Sequence, residues 1–135
     1  MKNWNDKYLL NISIIDNQHR GFFTLLDEEL SRIENPTQKQ MIELLDKLEN
    51  YLWNHFSEEE RLLEKSGYKD LALHKQQHLY FIQKVNEMKL ELSYKNQLLY
   101  NNLIDFMKKW FLAHILHLDK KYQEIVLDYI QKTNG

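Results

Sequence analysis

Six histidines occur in the chain, at His19, His55, His74, His78, His114 and His117. Their spacings to one another and to two carboxylates point to metal coordination. His74 and His78 stand at i and i+4, so on a helix both imidazoles reach one ion from one face. His55 and Glu59 repeat that spacing. Within the run Glu58-Glu59-Glu60 only Glu59 shares the face of His55, because each neighbour is rotated by about 100°. Glu58 and Glu60 therefore read as solvated surface charges. Asp119 follows His114 by five residues, which places it about 140° away on a regular α-helix. A π-bulge has i+5 periodicity and favours functional sites, so one is predicted near residues 114–119. The alternative is that Asp119 only caps a following helix. Five imidazoles and two carboxylates exceed the needs of one octahedral ion. They suit two ions that share the carboxylates, and they favour iron, manganese, copper or zinc over magnesium and calcium. His117 lies about 60° from His114 on a regular helix. It is expected at the surface or in support of the other histidines, not as a sixth histidine ligand.

Elements must bring these residues to one level. Three Gly and one Pro in 135 residues argue for long helices and against a turn-rich β-sandwich or a Rossmann-like fold. The breakers predict four helical segments. The first runs from Asp16, as N-cap, to Glu34, with Phe22, Phe23, Leu26, Leu30 and Ile33 as its apolar stripe. The second runs from Thr37 to Lys65, is stopped by Gly67, and buries Met41, Leu44, Leu45, Leu48, Leu52, Leu62 and Leu63. The third runs from Asp70 to Leu92, with Leu71, Phe81, Val85 and Met88 inward. The fourth starts near Tyr94 or Lys95 and buries Leu99, Leu103, Phe106, Trp110 and Leu118. A shorter helix is predicted over Lys120 to Gln131. Residues 1–15 read as an extended arm whose Trp4, Tyr8, Leu10 and Ile12 cover one end. Short connections make neighbours antiparallel, which gives an all-α up-down-up-down four-helix bundle. In it the histidine-bearing ends coincide: His19 and His55 differ in height by only roughly 3 Å, and His78 and His114 by roughly 7 Å. Each of these histidines continues an apolar stripe and so points inward. A lone inward histidine is more often a hydrogen-bonded core residue than a ligand. Four helices meeting at one level with complementary spacings are far more specific.

Composition bounds the rest. A single domain spanning residues 1–135 is expected at this length. Without cysteine there are no disulfides, thiolate metal sites, iron–sulfur clusters or cysteine nucleophiles. A net charge of −2 argues against a nucleic-acid binder that works by neutralising phosphates. The longest apolar runs are about four residues, against the roughly 20 that span a bilayer, so no membrane association is expected. Nothing resembles a signal peptide, and a cytoplasmic location is expected.

The ordered motifs are His19, then His55-Phe56-Ser57-Glu58-Glu59, His74-Lys75-Gln76-Gln77-His78 and His114-Ile115-Leu116-His117-Leu118-Asp119. This set resembles the hemerythrin family, in particular its single-domain bacterial members. Flanking text agrees: Ile15-Asp16-Asn17-Gln18 before His19, Tyr68 before the third helix, Trp110 four residues before His114, and the Trp4-bearing arm. The resemblance implies two non-haem irons per chain with an oxo or hydroxo bridge. One would be held by His74, His78 and His114, the other by His19 and His55, with Glu59 and Asp119 bridging. It further implies dioxygen as the ligand, bound at the iron with two histidines. Candidate walls of an apolar oxygen pocket are Phe22, Phe23, Phe56, Trp110, Phe111 and Ile115. Phe111 departs from the family, where that position is often aliphatic; the larger ring is expected to narrow the pocket.

The leading functional expectation is reversible dioxygen binding for carriage, storage or sensing by a monomer. Without an attached signalling, membrane or DNA-binding segment, sensing would act through a protein partner that the sequence does not identify. The alternatives are a di-iron redox enzyme (peroxidase, nitric oxide scavenging or iron oxidation), iron storage, or a metal-free helical interaction module. The Glu-x-x-His pattern of di-iron oxidases is absent from the sequence. Mainly neutral imidazole ligands also favour reversible binding over oxygen activation.

Overall fold

Two features of the sequence set the first long connections. Thr37 caps the helix that follows it: its side chain accepts from the Gln40 N–H while the Gln40 side chain accepts from the Thr37 N–H, a complete capping box. Gly67 ends the same helix with φ 75°, a left-handed value that costs glycine nothing. A computed structural model describes residues 4–93 and 97–134. It contains α1 (Ser13–Arg32), α2 (Gln38–Ser66), α3 (Leu71–Leu90), α4 (Gln97–His117) and α5 (Gln123–Asn134), with 3-10 turns at Asp6–Tyr8, Glu91–Ser93 and Asp119–Tyr122. The expected start of the fourth helix at Tyr94 or Lys95 lies outside the described residues. The described residues contain no strand, and no helix among them is long and apolar enough to cross a membrane.

The first four helices form a four-helix bundle, α1 against α2, α2 against α3 and α3 against α4. Contacts of Phe111 with His19 and Phe22 close the ring between α4 and α1. The main core contains Phe22, Phe23 and Leu26 of α1, Met41 to Phe56 of α2, Phe81 and Val85 of α3, and Leu103 to Ile115 of α4. A second, smaller core closes one end: Leu10, Ile12 and Ile15 meet Leu63 of α2, Tyr122 just before α5 and Val126 within it. The chemistry-bearing side chains sit between these two clusters, because His19 falls between Ile15 and Phe22, and Glu59 between Phe56 and Leu63.

Several expectations are corrected. α1 starts at Ser13, so Asp16 is not its N-cap. Asp16 is buried in the first turn, where Oδ1 accepts from the Leu10 N–H at 2.9 Å and fastens the arm. The arm itself is partly helical, with a 3-10 turn at Asp6–Tyr8. Trp4 and Tyr8 join the main core, while Leu10 and Ile12 join the end cluster. In α1 the stripe shifts after Leu26: Leu30 is exposed and Glu29 is buried, paired with Lys47 of α2 and with Arg32. The buried face of α4 is Tyr100, Leu103, Ile104, Met107, Phe111 and Ile115; Leu99, Phe106, Trp110 and Leu118 are half-buried at its edge. No π-bulge forms near residues 114–119. Instead α4 ends at His117, the Leu118 N–H still bonds the His114 carbonyl, and the Lys121 N–H bonds the Leu118 carbonyl to begin a 3-10 turn. That tighter turn re-aims Asp119.

Candidate metal centre

Each element delivers a fixed part of the centre. α1 supplies His19, α2 supplies His55 and Glu59, α3 supplies His74 and His78, and α4 supplies His114. The 3-10 turn after α4 supplies Asp119. All seven side chains are buried. Only four side chains of α3 are buried, and two of them are His74 and His78, so this helix is seated on the bundle largely through its histidines.

The carboxylate oxygens divide between two groups of histidines. Oε1 of Glu59 lies 2.9 Å from Nε2 of His74 and 3.0 Å from Nε2 of His78. Oε2 of the same group faces Nε2 of His55 at 3.5 Å and of His19 at 3.9 Å. Asp119 repeats the division, with Oδ1 2.9 Å from His74 and 3.1 Å from His114, and Oδ2 3.2 Å from His19. Nε2 of His78 and Nε2 of His114 are 3.1 Å apart. Two donor atoms at right angles on one ion, each about 2.1 Å from it, stand about 3 Å apart. The observed separations have that size. Among the described residues, Glu59 with His74, His78 and His114, and Glu59 with His19 and His55, are the groups that could hold a cation.

The fit of this set to metal ions rests on stranded polar atoms. Both nitrogens of His19, Nε2 of His55, Nδ1 of His114 and both oxygens of Asp119 are buried without a hydrogen bond of acceptable geometry. Buried polar atoms are costly when unpaired. Ions shared by His19, His55 and Asp119 would satisfy the inward-facing ones, and imidazole with carboxylate is a donor set for iron, manganese, copper or zinc.

The electrostatics favour positive charge here. Burial alone would lower the pKa of His19, but Asp119 and Glu59 raise it to about 9. Burial opposes protonation of His74 in the same way, and Asp119 and Glu59 carry it to about 10. His78 is raised against its burial by Glu59 and Glu60. His55 is lowered, because burial outweighs the attraction of the nearby Glu59 carboxylate. Burial would push Glu59 up, but four histidines hold it well below the usual carboxylate range. Asp119, against both burial and the charge of Glu59, is held far below that range by His114 and His19. The carboxylates that raise these imidazoles would also favour a bound cation among them.

Residues that the spacing did not identify complete the centre. Tyr122 is fully buried and its hydroxyl donates to Oε2 of Glu59 at 2.8 Å. Burial, then the charges of Glu59 and Asp119, push its pKa well above the usual phenol value, so it remains a donor. Nδ1 of His55 lies 2.6 Å from Oε1 of Gln18, and Nδ1 of His78 lies 2.7 Å from Oε2 of Glu60. Glu60 is thus no solvated bystander, since it orients a histidine from outside. Glu58 is exposed yet accepts from the Gln18 amide. His117 is exposed.

The expected pocket walls fall into two sets. Phe111 lies 5.3 Å from the ring of His19 and 5.8 Å from that of His55, with Phe22 and Phe23 packed behind it. Phe56 stacks on His78 at 3.8 Å, and Trp110 stacks on His114 at 4.6 Å. Phe22, Phe23 and Phe111 therefore border the two-histidine side, while Phe56 and Trp110 cover the three-histidine side. Ile115 is buried in the main core.

The chain is similar to known proteins over most of its length. Residues 10–126 match the family model described as the hemerythrin HHE cation binding domain. A bacteriohemerythrin of Clostridium acetobutylicum is 33% identical over 124 residues, covering 88% of this chain and 96% of that protein. A bacteriohemerythrin of Stenotrophomonas maltophilia is 29% identical over 130 residues, covering 96% of this chain and 84% of that protein. A myohemerythrin of Theromyzon tessulatum is 28% identical over 120 residues, 89% of each chain.

Proposed function

The chain belongs to the hemerythrin family, and from that premise we propose that it binds dioxygen reversibly at a pair of iron ions inside the bundle. The observation that carries this reading is the division of Glu59 and Asp119, each with one oxygen toward the three-histidine group and the other toward the two-histidine group. That arrangement suits two ions, not one. His74, His78 and His114 would hold one iron and His19 and His55 the other, with Glu59 and Asp119 spanning both and an oxo or hydroxo bridge between the irons. When bound, a ferrous pair supplies the two electrons that reversible dioxygen binding requires.

The side chains then have distinct tasks. Glu59 is held in its spanning orientation by the Tyr122 hydroxyl on Oε2. Gln18 and Glu60 hold the rings of His55 and His78 from the Nδ1 side, which leaves Nε2 free to coordinate. The position with two histidines has fewer protein donors, and an open position there is where a small ligand would enter. Phe111, Phe22 and Phe23 border it and keep water away, as an apolar shell does at a metal site. Exclusion of water favours binding and release over loss of reduced oxygen species, which argues for a binding protein and against a redox enzyme.

Iron per chain in protein purified from iron-supplied cells tests the reading. Two irons per chain are expected, falling to about one when His19→Ala and His55→Ala are combined. One iron or none in the unaltered chain would contradict it.

A further inference from the structure

The three consecutive glutamates of α2 serve three different neighbours. Successive helical residues are rotated by about 100°, so when Glu59 enters the bundle, Glu58 turns toward α1 and Glu60 toward α3. Glu60 Oε2 meets Nδ1 of His78 at 2.7 Å. A carboxylate only accepts, so Nδ1 carries the hydrogen and Nε2 is the coordinating nitrogen. Phe56 clamps the face of the same ring at 3.8 Å and 8°. On the α1 side, Nδ1 of His55 meets Oε1 of Gln18 at 2.6 Å. The amide cannot turn over, because its Nε2 donates to Glu58. The main-chain carbonyl of Gln18 also accepts from the Tyr51 hydroxyl at 2.8 Å, which seats this part of α1 against α2. That seating requires Gly21: a Cβ there would stand 2.1 Å from the Tyr51 hydroxyl oxygen.

We propose that Glu58 and Glu60 are paired positioning residues that widen the difference between the two metal positions, Glu60 acting directly on His78 and Glu58 acting on His55 only through the neutral Gln18 amide. The inference rests on the two-metal reading above. A hydrogen bond to a full carboxylate is roughly twice as strong as one to a neutral acceptor, and it makes the imidazole a better donor to its ion. The three-histidine position therefore fills first and releases its ion last. The two-histidine position, supported by a neutral amide, is the one that exchanges. The run Glu58-Glu59-Glu60 is then a single device, with the central carboxylate shared between the ions and each flanking one setting a histidine on its own side.

The test is a cobalt(II) titration of the metal-free full-length chain, followed by visible absorption and calorimetry. The unaltered chain should take up two cobalt ions in two resolvable steps. Glu60→Ala should weaken the tighter step by about 10- to 100-fold, the range typical for partners of metal-bound histidines, and spare the weaker one. Glu60→Gln keeps an acceptor without the charge and should give an intermediate loss; it also covers the case in which Glu60→Ala fails to fold. Gln18→Leu should weaken only the looser step. Glu64→Ala, exposed one turn farther along α2, should change neither. Two cobalt ions bound with an unaltered tighter step in both Glu60 variants would overturn the inference and leave the two-metal reading intact. Equal losses at both steps would also overturn it, as the mark of a general effect on the fold. No cobalt uptake by the unaltered chain would overturn both.

Discussion

Replacing Tyr122 with Phe isolates one hydrogen bond with little change of shape. The ring is fully buried beside α5, and the hydroxyl makes a 2.8 Å bond to Oε2 of Glu59. Phe fills the same volume, so no cavity penalty is added. What is lost is a hydrogen bond to a buried carboxylate, worth about 1.5–3 kcal/mol. Oε2 would keep only His55 at 3.5 Å and His19 at 3.9 Å. For a domain of this size each kcal/mol moves the melting midpoint by about 4 °C, so the metal-free variant should melt about 6–12 °C lower. Metal affinity should also fall by about tenfold or more, because Glu59 is no longer held between the two groups. Differential scanning calorimetry of the metal-free chain at pH 7 measures the first quantity, and competitive chelation the second. Tyr80→Phe, on a half-exposed side chain, is the control and should do nothing. A Tyr122→Phe midpoint within about 2 °C of the parent, with unchanged metal affinity, would refute the reasoning.

Other outcomes follow from the same geometry. Phe111→Leu should open space beside His19 and His55 and tighten azide binding; unchanged azide affinity would refute a pocket narrowed by this ring. Chelation should destabilise the whole chain and expose α3 most, because half of its buried side chains are His74 and His78; hydrogen exchange that protects α3 equally with and without metal would contradict this. Metal uptake should release protons and strengthen as pH rises from about 6.5 toward 9–10, where His19 and His74 lose their protons, whereas a pH-independent affinity over that range would not fit. The stability of the metal-free chain has the opposite dependence at its alkaline end. The raised histidines contribute fully below their unfolded pKa near 6.5, and that contribution is lost as pH rises through about 9–10. The lowered Glu59 and Asp119 contribute above an unfolded pKa of about 4 and lose it as pH falls through their lower folded values. Lowered His55 adds a loss as pH falls below about 6.5, so denaturant midpoints of metal-free protein should be highest near pH 6.5; a maximum near pH 9 would contradict these signs.

The bundle and its histidines were legible because helical periodicity is local. His74 with His78, and His55 with Glu59, announce a shared face by spacing alone, and Thr37 and Gly67 announce their helix ends. The device at Asp119 was not legible. The i+5 spacing shows that a regular helix cannot place it, but a π-bulge and a helix end with a 3-10 turn both solve that problem. The 3-10 turn leads into Tyr122 and Val126, which pack into the end cluster with residues far off in the sequence. Glu60 departs from its reading as a surface charge for a different reason. One helix viewed alone has an inside and an outside, whereas a helix in a bundle has a neighbour on each flank. Residues rotated about 100° from the core face reach those flanks. Leu30 and Glu29 show the same limit, since the partner of buried Glu29 is a lysine on α2, which the stripe of α1 alone does not reveal.

The most direct measurement is the optical spectrum of the iron-loaded chain through one cycle: reduced without oxygen, exposed to oxygen, then degassed. A charge-transfer band should rise on exposure and vanish on degassing, with the colourless reduced spectrum restored over repeated cycles. No band on exposure, or a band that decays to a ferric spectrum that degassing does not reverse, would contradict reversible dioxygen binding at this centre.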